Sequence, residues 1–179
     1  LILSTSYNDR DRERRQLAAI LEQKPTAVIF VPVEGRPDTD IPAPTRALAI
    51  DRRAEGYSNI AVNQKDSAAV ALDHLVDLGH RRIAYLAGPD NTMNARERLE
   101  GFLNRAEAIR AGGTALDIVI CPGEFNFHSG ERLARQLLER PTAERVTAIA
   151  AASDQQAIGA IRAARPWPVC SGGPVGSRL

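Results

Sequence analysis

Aromatic side chains are scarce, with Phe, Tyr and Trp at 4% of the 179 residues, so any core must be built mainly from Ala, Leu, Ile and Val. Excess charge of one sign is also lacking. Lys and Arg number 23 against 22 Asp and Glu, and the net charge of +1 offers no whole-surface electrostatic case for nucleic acid. No apolar run approaches the roughly 20 residues that cross a bilayer, so no membrane partner is expected. The charged Asp9-Arg10-Asp11-Arg12 after a very short apolar start is unlike a signal peptide. Only two cysteines occur, Cys121 and Cys170, without metal-ligand spacing or a redox pair, and free thiols in a reducing cytoplasm are expected. His74, His80 and His128 share no metal-binding spacing with each other or with a cysteine. A nucleophile elbow, a phosphate-cradling loop with Lys and a dinucleotide fingerprint are all missing. The expectation is therefore a protein without metal or cofactor, and not an enzyme.

What is present is ordinary globular material, 44% hydrophobic and 25% charged, enough for one large domain or two small lobes. Short β-rich runs alternate with helical patterns. Leu1-Ile2-Leu3 reads as the end of a strand. Asp9 is placed to cap a helix whose buried face carries Leu17, Ile20 and Leu21. Ala27–Val31 is a continuous apolar run, as expected of a strand covered on both faces, and a Pro-rich loop follows it. Further strands are expected at 47–50, 83–87, 117–121 and 147–152. Helices are expected at about 66–78, 95–110, 130–139 and 155–164. In the first of these, Val70, Leu72, Leu75 and Val76 form a buried stripe and Gly79 the left-handed cap. Strands separated by helical crossovers give an α/β fold with parallel sheets flanked by helices.

In open sheets of this kind, ligands bind beyond the carboxyl ends of the strands. The residues found there are Asp51-Arg52, Gly88 to Thr92 with Arg96 a turn beyond, Gly123-Glu124-Phe125, and Ser153-Asp154. Such groups suit a neutral polyhydroxylated ligand: charged side chains bond hydroxyls and an aromatic covers a sugar's apolar face. Each also has a structural reading. Ser153 or Asp154 caps the following helix, Arg96 pairs with Glu100, Phe125 packs in the core, or Asp51 and Arg52 form a local ion pair.

Three segments carry a family likeness: Leu75–Pro89 (LVDLGHRRIAYLAGP), Ala95–Phe102 (ARERLEGF) and Ala152–Ala163 (ASDQQAIGAIRA). In order and spacing they resemble the effector-binding core of lactose/galactose-repressor family transcription regulators, over roughly residues 1–164. The resemblance implies two Rossmann-like lobes of the periplasmic-binding-protein type, the first ending near Val62 and the second running from Asn63 to about Arg165. It implies a small-molecule effector, a carbohydrate foremost, and assigns ligand contact to Asp51, Thr92, Arg96, Phe125 and Ser153. It departs at Asn63-Gln64, where the family often has Asp-Asn, and at Ser67, where it has Gly. It further implies that the intact polypeptide is a homodimer. That polypeptide meets operator DNA through a helix-turn-helix headpiece lying before Leu1, and further strands follow Ala164. A periplasmic sugar receptor of a transporter is the alternative, distinguished by a signal peptide in place of the headpiece.

After Arg165 the pattern fails, and Pro166 to Leu179 reads as a tail with no period. Family members continue there with a pattern close to Gly-x-x-Val-Pro-x-Asp-Leu-Ser-Val-x-Gly. The codons of Trp167 to Leu179, taken one base later, permit that whole pattern, so residues 166–179 are expected to be a shifted reading of a family sequence. A true Pro/Gly/Ser-rich terminus is the other reading.

Overall fold

The structure, a computed structural model, describes residues 1–165; the expected tail of shifted reading lies outside them. The chain divides into two compact units, Leu1–Asn63 and Gln64 onward.

The first unit contains α1 (Arg10–Glu22), β1 (Ala27–Phe30), β2 (Arg46–Ile50) and β3 (Ser58–Ile60), its three strands forming a parallel sheet in the order β1-β2-β3. Asp9 caps α1, its carboxylate accepting from the Arg12 N–H at 2.7 Å. The Glu13 carboxylate, buried on the same helix, accepts from the Val33 N–H at 2.7 Å, and burial pushes its pKa up. Two expectations are corrected here. Leu1–Leu3 is not strand: it pairs with no strand among the described residues, and Leu1 and Leu3 are exposed. Nor is β1 covered on both faces, for Val28 is buried while Ile29 stays 67% exposed.

The second unit contains α2 (Gln64–Asp77), β4 (Arg82–Leu86), α3 (Met93–Ala111), β5 (Asp117–Cys121), α4 (Phe127–Leu138), β6 (Ala148–Ala151) and α5 (Asp154–Ala164). Its sheet is parallel in the order β5-β4-β6. The central strand β4 is buried on both faces, and its period of two divides the core. Ile83, Tyr85 and Ala87 join Leu72 of α2 and Phe102 and Ala106 of α3 on one side. Ala84 and Leu86 join Leu133 and Leu137 of α4 and Ala160 and Ala163 of α5 on the other. On α2 the buried stripe is Gln64, Ala68 and Leu72, with Leu75 and Val76 partly buried. Val70, expected in the stripe, is 66% exposed, because it stands two residues from Leu72 and so on the opposite side of the helix. Gly79 ends the helix at φ +89°, a conformation only glycine adopts without steric cost.

This topology makes a crevice. The chain leaving β4 turns to the face holding α2 and α3, and the chain leaving its neighbour β6 turns to the face holding α4 and α5. Loops that diverge between adjacent strands leave the carboxyl ends of both open.

Candidate ligand site at the rim of the second unit

The side chain that occupies this rim is Arg98. Its Nε donates to Gln64 Oε1 at 2.6 Å and its Nη1 to the carbonyl oxygen of Ala152, just beyond β6, at 2.5 Å. The guanidinium carbon lies 5.8 Å from the centroid of the Phe125 ring, a cation–π contact. Two close approaches bring these groups together. Phe125 lies so near Gly88 that a Cβ there would stand 2.1 Å from its Cε1, so the loops after β4 and β5 lock through a glycine. Gly101 does the same for the helices: a Cβ on it would meet the Lys65 carbonyl oxygen at 2.3 Å, so α3 runs against the start of α2 and Gln64 reaches Arg98. Lys65 and Glu100 add an exposed ion pair across the same two helices.

Behind the rim, Gln156 is fully buried. Its Nε2 donates to the Ala87 carbonyl at 2.9 Å, tying the end of β4 to α5. Ser153 caps α5. Its Oγ accepts from the Gln156 N–H and donates to Gln156 Oε1, both at 3.3 Å. Beneath lies Tyr85, whose hydroxyl is buried without a hydrogen-bond partner among the described residues, while its ring packs 4.4 Å from that of Phe102. Burial pushes this phenol up to about 12, against the opposing pull of the Arg98 charge. Burial likewise raises the Cys121 thiol.

The five expected residues are placed as follows. Phe125 meets Arg98 at the rim, and Ser153 adjoins Ala152 with its hydroxyl engaged by Gln156. Thr92 is buried before α3, its hydroxyl donating to the Pro89 carbonyl at 3.2 Å. Arg96 lies exposed on α3, with Nη1 on the Asp90 carbonyl at 2.9 Å. Asp51 belongs to the first unit, just after β2 at φ +66°, its N–H donating to the Ile60 carbonyl. Its neighbour Arg52 points to Asn8 Oδ1 and the Val33 carbonyl. Arg98 is not among the residues expected at the site from sequence, and Gln64 is named there only within a departure from the family pattern. Helical spacing held the signal for the first, since Arg98 is three residues from Ala95 and four from Phe102 on the buried face of α3.

No group of three or more His, Cys, Asp or Glu side chains among the described residues is arranged to hold a metal ion. No described helix is long and apolar enough to cross a membrane.

Two parallel sheets flanked by helices, with convergent polar groups beyond the strand ends, define a periplasmic-binding-protein-like fold. Residues 72–166 match the family model described as the periplasmic binding protein-like domain, and the chain belongs to that family. In sequence it is similar to transcription regulators. It is 28% identical over 167 residues to the HTH-type transcriptional regulator GalR of Escherichia coli (strain K12), covering 90% of this chain and 47% of that protein. It is 30% identical over 169 residues to the ribose operon repressor of the same strain, covering 91% and 50%. The chain thus spans about half the length of these curated relatives. In fold it is similar to the Cra transcriptional dual regulator of Pseudomonas putida, solved in complex with fructose 1-phosphate. That likeness has a TM-score of 0.75 at 20% identity, over 94% of this chain and 63% of that one.

Proposed function

We propose that this chain is the effector-sensing part of a transcription regulator. It binds a small carbohydrate at the rim between β4 and β6, and the occupancy of that site alters operator affinity of the intact polypeptide, whose DNA contacts are made by a separate headpiece. The observation that carries this reading is the Arg98 guanidinium, fixed on neutral oxygens beside the Phe125 ring. A guanidinium supplies strong hydrogen bonds to hydroxyls, and an aromatic ring packs against the C–H face of a sugar. The name of one relative, the ribose operon repressor, points to the same ligand class. A homodimer belongs to this reading as well. Ile158 and Ile161, one turn apart on α5, remain 58% and 63% exposed, and that outward apolar pair supports it.

Calorimetric titration with a panel of D-ribose, D-galactose, D-glucose and fructose 1-phosphate tests the site. For the sugar that binds, Arg98→Ala is expected to weaken affinity by roughly 2–3 kcal/mol, the cost of removing a charged hydrogen-bonding partner from a partly dry site. Arg96→Ala and Asp51→Asn belong in the same titration, because the family likeness assigns both residues to the effector. Unchanged affinity in Arg98→Ala, with the far-ultraviolet spectrum intact, would remove Arg98 from the site.

A further inference from the structure

Arg98 is held from two sides, and the two holds differ in kind. The Ala152 carbonyl is backbone, placed by the sheet, since the Ala152 N–H donates to Leu86 across the β4–β6 pair at 3.0 Å. Gln64 is a side chain, 3% exposed, standing at the first residue of α2. A buried amide oxygen needs a donor in place of water, and the Arg98 Nε–H supplies it at 2.6 Å.

We propose that Gln64 is the positioning residue of this site: it fixes the plane of the Arg98 guanidinium beside the Phe125 ring and so decides which N–H groups face the ligand. The inference rests on the function proposed above and deepens it. A guanidinium carries five N–H donors in a rigid fork. Gln64 takes the one on Nε and Ala152 takes one on Nη1, which leaves Nη2 and the second Nη1 proton for a ligand. Were only Ala152 holding Nη1, the fork would pivot about that bond, and the hydroxyl pattern it recognises would blur. Length is part of the device. Asn carries the same amide on a stem one carbon shorter, about 1.5 Å, which takes its oxygen beyond hydrogen-bonding distance of Nε. Glu keeps the length and presents a stronger acceptor. The alternative is that Gln64 merely fills the first turn of α2, which would leave Arg98 indifferent to its identity.

The arginine Nε–H region of the proton–nitrogen NMR spectrum of the 179-residue chain separates the two, with the Arg98 signal assigned by its loss in Arg98→Lys. In the unaltered chain this proton is expected to exchange with water on the order of tenfold or more slowly than those of exposed arginines, as for a hydrogen bond to a charged group. Gln64→Ala and Gln64→Asn should return it to the exposed rate, and Gln64→Glu should keep it slow. Backbone amide protection along α2 reports whether each variant is folded. Fast exchange in the unaltered chain, or slow exchange that survives Gln64→Ala, overturns the proposal, and the first of these needs no variant to fold. Titration with the same four sugars keeps the two readings apart. A slow Arg98 proton with none of the four bound leaves the positioning in place and sinks the sugar reading instead.

Discussion

Tyr85 carries a hydroxyl into the middle of the second unit's core, where it meets no hydrogen-bond partner among the described residues. A buried donor left unmade costs about 1–3 kcal/mol, so Tyr85→Phe, which keeps the ring against Phe102, should stabilise the fold by about 1 kcal/mol. The measurement is the urea midpoint at unchanged slope. The pH dependence has a definite sign. The folded pKa is raised from 10.0 to about 12, so the folded chain holds its proton where the unfolded chain has released it. Stability is therefore undiminished below pH 10 and is lost as pH climbs toward 12; in Tyr85→Phe that part of the alkaline loss should vanish. The candidate site was only partly legible at this scale. Phe125 follows directly from its place after β5, but two arginines stand two positions apart on α3, roughly 200° around the helix. The motif drew attention to Arg96, whereas the angular spacing from Ala95 and Phe102 marks Arg98 as the inward one. Gln64 stands out only in the departure of Asn63-Gln64 from the family pattern, and not as a site residue, since a polar residue at a helix start reads as solvated until the approach of α3 at Gly101 buries it.

Among the elements, α4 and α5 make the closest pairing, and small residues permit it. A Cβ on Gly159 would stand 2.1 Å from the Phe127 carbonyl oxygen and 2.6 Å from the Glu131 nitrogen, and one on Gly130 would stand 2.1 Å from the Gln156 oxygen. These neighbours are backbone, which cannot turn aside as a side chain would. Gly159→Ala should therefore cost about 2 kcal/mol or more, overriding the roughly 1 kcal/mol that alanine gains in helix propensity. Gly112→Ala is the control, for its nearest neighbour would be an ordinary 3.4 Å away at a normal backbone angle, and a change within about 0.5 kcal/mol is expected. Thermal or urea unfolding of both variants decides it, and equal stabilities would mean that the helices slide apart freely. The strongly patterned elements were legible in advance: β5 at 117–121 and the helices that became α2, α3 and α5. β3 was not, because Ser58-Asn59-Ile60 carries a single apolar residue and is exposed throughout. It is a strand only through its register with β2, where Ile50 stands opposite Ile60, and that pairing is a property of the tertiary fold.

For the whole molecule, the alternation of strands and helices was enough to give parallel sheets, because a strand that returns in the same direction needs a crossover. That rhythm stops after Arg165, and the family match runs through residues 72–166, so the likeness and the pattern fail together. We propose that residues 166–179 are a family sequence read one base out of frame. Trp167 has a single codon, TGG, and every proline codon begins with C, so the next frame must read GGC, a glycine, at the position where the family pattern begins with one. Beyond it, the junction of Cys170 with Ser171 permits Val, and that of Ser171 with Gly172 permits Pro. Gly173 with Pro174 permits Asp, Pro174 with Val175 Leu, Val175 with Gly176 Ser, Gly176 with Ser177 Val, and Arg178 with Leu179 Gly. One position is forced and seven are permitted, all in register with Gly-x-x-Val-Pro-x-Asp-Leu-Ser-Val-x-Gly. An unrelated Pro- and Gly-rich tail has no reason to allow every one of them. The coding DNA is the measurement. The expected outcome is that the shifted frame spells this pattern from the second base of the Trp167 codon onward, and a departure from it at any two of the seven permitted positions would end the idea.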